Sequence, residues 1–241
     1  MKIFLSALES YGTNICDELG KLKWNLMSFY YLKQPVFEKV LKHSELMLID
    51  SGAHSFQKGK KVDWVEYTKK YAAWIKANDC PKIIGYFEMD VDNAIGYEKV
   101  LQLRSILESV SDKIIPVWHK NRGVDEFKRM CQQYAGKIIA ITGFRNEDIK
   151  DEQYIMFLKY AKKYGCKVHC LGMTRKAILD KVPFDYVDSS SWLQHAAFSR
   201  IGGRKVKSEF TRQNYKRMFV ENYKLGMEMQ KYYYKKWNRY E

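Results

Sequence analysis

The chain has 241 residues, 46% hydrophobic and 15% aromatic, which is enough for a sizeable core and excludes a disordered chain. Fourteen Gly and four Pro exclude a collagen-like or linker-dominated chain, and no apolar run approaches the roughly 18 residues of a membrane span. Forty-two Lys and Arg against 28 Asp and Glu leave +14, which favours a polyanionic partner because each neutralised phosphate releases condensed counterions. A basic soluble protein without such a partner is the plainer alternative.

The first residues meet Glu9 too soon for a secretory apolar region. The five cysteines (Cys16, Cys80, Cys131, Cys166 and Cys170) are odd in number and scattered, so no disulfide framework is implied and a reducing, cytoplasmic setting is expected. Cys166, His169 and Cys170 cluster in one apolar segment. A structural zinc needs more ligands than that, so the segment reads as part of the core.

Short apolar runs rich in β-branched and aromatic residues read as strands over residues 3–8, 46–49, 83–87, 114–118, 138–142, 167–171 and 184–187. Between them, helical patterns cover residues 63–78, 93–110, 124–134, 151–164 and 175–181. Asp63 is the expected N-cap of the first, whose Trp64, Tyr67, Tyr71 and Trp74 share one face. Strand–helix alternation predicts a parallel sheet with right-handed crossovers. Seven or eight units in this length fit a single (β/α)₈ TIM barrel over residues 1–241. The main rival, a doubly wound open sheet, lacks its Gly-rich phosphate loop here. The eighth strand is expected near residues 204–207. Residues 209–241 read as one basic, aromatic C-terminal helix. Its aromatics could stack on bases, but packing against the barrel with the lysines in water is the simpler reading.

Barrel chemistry sits at the strand C-termini. Polar residues concentrate there: Asp50, Ser51, Gly52 and His54 after the second predicted strand; Glu88, Asp90 and Asp92 after the third; His119 after the fourth; Gly143, Gly172 and Asp188 after the next three. Carboxylates are costly to gather on one rim, because like charges shift each other's ionisation. Metal binding and glycosidic-bond chemistry both use such a set. Asp92 and Asp185 could instead be helix caps.

Leu48-Ile49-Asp50-Ser51-Gly52-Ala53-His54-Ser55-Phe56 resembles the Asp-Ser-Gly-Gly-aromatic-Gln segment of tRNA-guanine transglycosylases. Phe87-Glu88-Met89-Asp90, Pro116-Val117-Trp118-His119, Ile141-Thr142-Gly143-Phe144, Cys170-Leu171-Gly172-Met173 and Tyr186-Val187-Asp188-Ser189 follow in family order. The resemblance implies a transglycosylase-like barrel. Asp188 would be the nucleophile and Asp50 the proton-handling carboxylate. Ser51, Gly52, His54, Asp90, His119, Gly143, Leu171 and Gly172 would bind the base. His54 stands in for a stacking aromatic and His119 for a Gln. The family's zinc module has no counterpart after Asp188. The compact chain therefore looks most like the 7-deazaguanine DNA transglycosylases of phages and bacterial modification islands. That branch implies exchange of a flipped-out guanine in double-stranded DNA for a free 7-deazaguanine such as 7-cyano-7-deazaguanine, with no cofactor, metal or membrane. A tRNA-directed enzyme, a non-catalytic nucleic-acid-binding barrel and, more distantly, a metal-dependent barrel hydrolase are the alternatives.

Overall fold

A computed structural model of the protein describes residues 1–56, 62–142, 151–206 and 211–238. The elements run β1 (Lys2–Ser6), α1 (Gly12–Leu19), β2 (Leu22–Ser28), α2 (Gln34–His43), β3 (Ser44–Asp50), α3 (Trp64–Asn78), β4 (Ile83–Phe87), α4 (Asp92–Ile95), α5 (Tyr97–Glu108), β5 (Ile114–Ile115), β6 (Val117–Trp118), α6 (Gly123–Gln133), β7 (Ile138–Thr142), α7 (Asp151–Lys163), β8 (Lys167–Leu171), α8 (Lys176–Leu179), β9 (Tyr186–Ser189), α9 (Ser191–Ala197), β10 (Arg200–Ile201), β11 (Arg204–Lys205) and α10 (Arg212–Trp237).

β1 to β9 form a parallel sheet in the order β5-β4-β3-β2-β1-β9-β8-β7-β6. Its two ends are the two halves of residues 114–118, so it is a nearly closed, TIM-barrel-like sheet surrounded by helices. Pro116 splits those halves because it has no N–H for the ladder; its carbonyl still accepts from Ala140 N at 2.9 Å. On the β4 side, Val117 N–H donates to the Glu88 side chain at 2.7 Å. Glu88 is fully buried and paired with Arg104 at 2.5 Å and Arg122 at 3.5 Å. This carboxylate therefore belongs to the wall of the barrel and not to its mouth. Arg104→Met leaves a buried carboxylate half-paired, so a stability loss of about 3 kcal/mol is expected. Chemical denaturation measures it, and an unchanged midpoint would show that Arg122 suffices.

Residues alternate between two environments along each strand. Phe4, Trp24, Leu26, Leu48, Phe87, Ile115, Val117, Ala140 and Tyr186 fill the interior of the barrel. The intervening residues, such as Ile3, Leu5, Met47, Ile49, Val168, Cys170 and Val187, pack under the helices. Cys170 therefore points outward while His169 points inward. Cys166 lies elsewhere, against the carbonyls of Cys131 and Tyr134. The cluster of two thiols and an imidazole expected along this strand is divided between the two faces of the sheet.

Several expected elements shift. The first strand ends at Ser6 and not residue 8, and the last parallel strand is Tyr186–Ser189, so Asp188 lies inside it and not after it. The expected helix over 93–110 is interrupted at Gly96, whose φ of +82° marks a left-handed break. The expected eighth strand near 204–207 is wrong. Arg204–Lys205 pairs antiparallel with Arg200–Ile201 in a hairpin outside the barrel, and β2 supplies the missing strand. Polar residues disguised β2. Asn25 is fully buried, donating to Ser44 Oγ at 2.8 Å and accepting from Tyr223 Oη at 2.5 Å.

α10 packs against the barrel, as the simpler reading expected. Gln230 Nε2 donates to the carbonyls of Ile3 and Trp24, each at 2.8 Å. Gly226 fits where a Cβ would come within 2.9 Å of Leu5. Tyr233 is buried, and Trp237 Nε1 donates to Leu179 O. Among the described residues no helix is long and apolar enough to cross a membrane.

Candidate active site at the strand C-termini

The alternation that fills the interior also aims the acids. Leu48 points inward, so Asp50, two residues on at the end of β3, does too; Tyr186 points inward, so Asp188 does too. Asp188 Oδ1 receives His169 Nε2 at 2.9 Å and the Gly172 N–H at 2.8 Å. Among the described residues no hydrogen bond reaches Oδ2. A carboxylate accepts, so His169 carries its proton on Nε2. Nδ1 is buried without a partner, and the ring lies beside Phe4 and Phe87. An imidazole boxed between aromatics can point only one nitrogen at the acid, which fixes the carboxylate's orientation. Gly172 reaches it from a left-handed conformation, φ +61°. Leu171, just before, ends β8 half-buried against the interior.

Asp50 is held differently. Its Oδ2 receives the Gly52 N–H at 2.9 Å. Burial pushes its carboxyl up to about 7, the negative charges of Asp188, Asp90 and Glu9 adding to the rise and the Gly52 bond opposing it. The same four acids therefore share one field at the mouth. Gly52 has φ +75°, and a Cβ there would meet Tyr30 at 2.3 Å and Ser28 Oγ at 2.8 Å, so only glycine fits the turn that caps Asp50. Ser51 is buried; its carbonyl accepts from Tyr67 Oη at 2.7 Å. His54 is exposed on the short turn Ala53–Phe56, whereas Phe56 packs edge-on against Tyr30 and Tyr67.

Asp90 accepts from His119 Nε2 at 2.5 Å. Arg122 enters the same cluster, its Nε at 3.1 Å from Asp92 and its Nη2 at 3.6 Å from Asp90, with the guanidinium over Tyr97 at 4.2 Å. Burial works to raise the Asp92 carboxyl, but Arg122 and then His119 outweigh it and hold it low. Asp92 is thus an ion-pair partner; Val91 holds the N-cap position of α4, and Asp92, the first helical residue, accepts from the Asn93 N–H at 3.0 Å. Ligand atoms of Asp90, Asp92 and His119 lie within 4.8 Å of one another, a spacing that would suit a cation. Arg122 already supplies positive charge there. Asp185, the other possible cap, accepts from Val168 N–H at 2.8 Å and ties two strand starts together. Gly143 lies outside the described residues.

Three participants escaped the sequence, the first being His169, whose segment read as core. Glu9 follows β1, accepts from the Ser28 N–H, and has its carboxyl raised by burial; an acid just past a predicted first strand was the available signal. Arg122 had none beyond its place three residues after His119. A cavity at the other end of the barrel is lined by strand-start residues including Lys2, Leu46, Ile84, Ile138, Lys167 and Tyr186. In a barrel that end serves stability, and the converging acids are absent from it. No protein-family model matches the chain, and no curated protein does.

Proposed function

We propose that the protein is a base-exchanging transglycosylase that replaces guanine in DNA with a 7-deazaguanine through a glycosyl–Asp188 intermediate, on a (β/α)₈ barrel in which residues 114–118 count as one strand. The observation that carries this is the pairing of two differently held carboxylates on one rim. Asp188 is clamped through Oδ1 with Oδ2 open, and Asp50, held by the Gly52 N–H, has its carboxyl pushed up to about 7 by burial.

Cleaving a glycosidic bond builds positive charge at C1′. Asp188 Oδ2 attacks that carbon while the C1′–N9 electron pair leaves with guanine. Asp50, protonated, gives its proton to the departing base and so becomes the carboxylate that removes N9–H from the incoming one. That base then displaces Asp188, and two inversions retain configuration. A group asked to both give and take a proton works best with a pKa near the operating pH. Asp90, through the oxygen His119 does not hold, accepts from the N1–H and amino group of the base. A flipped base costs a few kcal/mol to unstack, and the +14 charge supplies polymer binding to offset it.

Release of labelled guanine from duplex DNA on addition of 7-cyano-7-deazaguanine tests the proposal. Release from folded tRNA alone would move the enzyme to RNA, and no release from either would remove the activity. Glu9→Gln removes a like charge near Asp50. The apparent pKa of about 7 should therefore move down, extending the alkaline-side decline of guanine release to lower pH. An unmoved profile would show that Glu9 does not feel the exchange centre.

A further inference from the structure

The hairpin β10–β11 carries a cost that the barrel does not explain. Arg200 stands directly opposite Lys205 in the ladder, and like charges facing each other across strands destabilise the pair. Arg200, Arg204 and Lys205 are exposed, and none makes an ion pair among the described residues. From Gln194 to Arg217 the sequence holds seven Lys or Arg (Arg200, Arg204, Lys205, Lys207, Arg212, Lys216, Arg217) and a single acid, Glu209. Phe198, just before the hairpin, is 73% exposed, the most of any large hydrophobic side chain described.

The hairpin is nonetheless built rigidly. Gly202 and Gly203, at φ +57° and +85°, make its two-residue turn. Asn222 of α10 is buried and pins it, donating through Nδ2 to Arg200 O at 2.7 Å and accepting at Oδ1 from Gly202 N at 3.1 Å. The packing of α10 on β1 sets its height. Gln230 meets Ile3 and Gly226 meets Leu5. Four helical residues and two strand residues both span about 6 Å. One further turn places Asn222 just beyond Ser6, at the rim that carries Glu9, Asp50 and Asp188.

We propose that this hairpin and the start of α10 are a duplex-DNA clamp beside the barrel mouth. Arg200, Arg204 and Lys205 take backbone phosphates flanking the target nucleotide, and Phe198 lies against sugar or an unstacked base. The inference rests on DNA being the polymer. An anion bridging Arg200 and Lys205 relieves their repulsion, and an exposed aromatic among cations suits nucleic acid better than a protein partner, because bases offer π-faces beside phosphates.

Fluorescence anisotropy with a labelled 20-base-pair duplex across a salt series tests it. The triple variant Arg200→Ala, Arg204→Ala, Lys205→Ala should bind at least tenfold more weakly. Its slope of log K against log salt should be shallower by roughly two to three, about 0.9 for each phosphate no longer neutralised. Phe198→Ala should bind severalfold more weakly with the slope unchanged. Lys162→Ala, Lys231→Ala, Lys235→Ala removes equal charge from the other end of the barrel and should change neither. A weakening no greater than in that control, or a wild type that binds a structured RNA but no duplex, overturns the clamp. Duplex binding that depends on the hairpin without any base exchange would keep the clamp and remove the transglycosylase. Exchange that survives the triple variant unchanged at limiting DNA would do the reverse.

Discussion

Asp188→Asn is expected to abolish base exchange, with a loss on the order of 10⁴- to 10⁶-fold, the range seen when a covalent nucleophile is removed. The amide keeps the side chain's shape. Its carbonyl oxygen, at the Oδ1 position, can still accept from both His169 Nε2 and the Gly172 N–H. What it lacks is the second, open oxygen with the charge to trap C1′. The wild type, given duplex DNA and no incoming base, should accumulate a protein–DNA adduct that survives denaturation and maps to Asp188 by peptide mass analysis. Asp185→Asn should leave the adduct intact, because Asp185 holds Val168 N–H at the opposite end of the strands; its effect belongs to folding. An adduct on another residue, or exchange by Asp188→Asn, would sink the assignment.

His169 shows where the sequence stopped being informative. Beside Cys166 and Cys170 it looked like part of a metal-poor cluster in the core. The strand itself was legible from Lys167 to Leu171, and its alternation already separates His169 from its neighbours. What was not legible was the partner: β8 lies next to β9 in the sheet, with His169 opposite Tyr186 and Asp188 two residues on. Strands rich in Ile, Val and aromatics were readable because burial on both faces demands apolar runs. β2 was not, because the burial of Asn25 is offset by bonds to Ser44 and Tyr223 that are distant in sequence. The rim acids Asp50, Asp90 and Asp188 could be listed from strand ends alone. Their division of labour depends on burial and on donors from other elements, such as Gly172 and Gly52, which only the folded chain assembles.

Asp50→Asn is expected to slow guanine release on the order of 10²- to 10⁴-fold, the usual size of a lost general acid, while duplex affinity changes little because phosphates dominate it. The wild-type rate of adduct formation gives the sharper test. In the proposed mechanism the departing guanine takes its proton from Asp50, whose carboxyl is raised to about 7. Adduct formation should therefore be flat below pH 6, half-maximal near pH 7 and falling above it, and the Asp50→Asn variant should lose that inflection. The same residue carries a stability signature of opposite sign. A carboxyl whose folded pKa is raised above the unfolded value favours folding least when ionised. Its penalty is absent below about pH 4, grows as pH rises through the interval up to about 7, and is full above that. Asp50→Asn should accordingly raise the thermal midpoint at pH 8, where up to a few kcal/mol are recovered, and leave it unchanged at pH 3.5. A slower enzyme that is more stable only above neutrality would identify Asp50 as the acid placed for chemistry at the expense of the fold. If instead the variant is equally stable at pH 8, or its adduct formation keeps the inflection near 7, the proton carrier is another rim carboxylate, and Asp90, already bonded to His119, becomes the next to test.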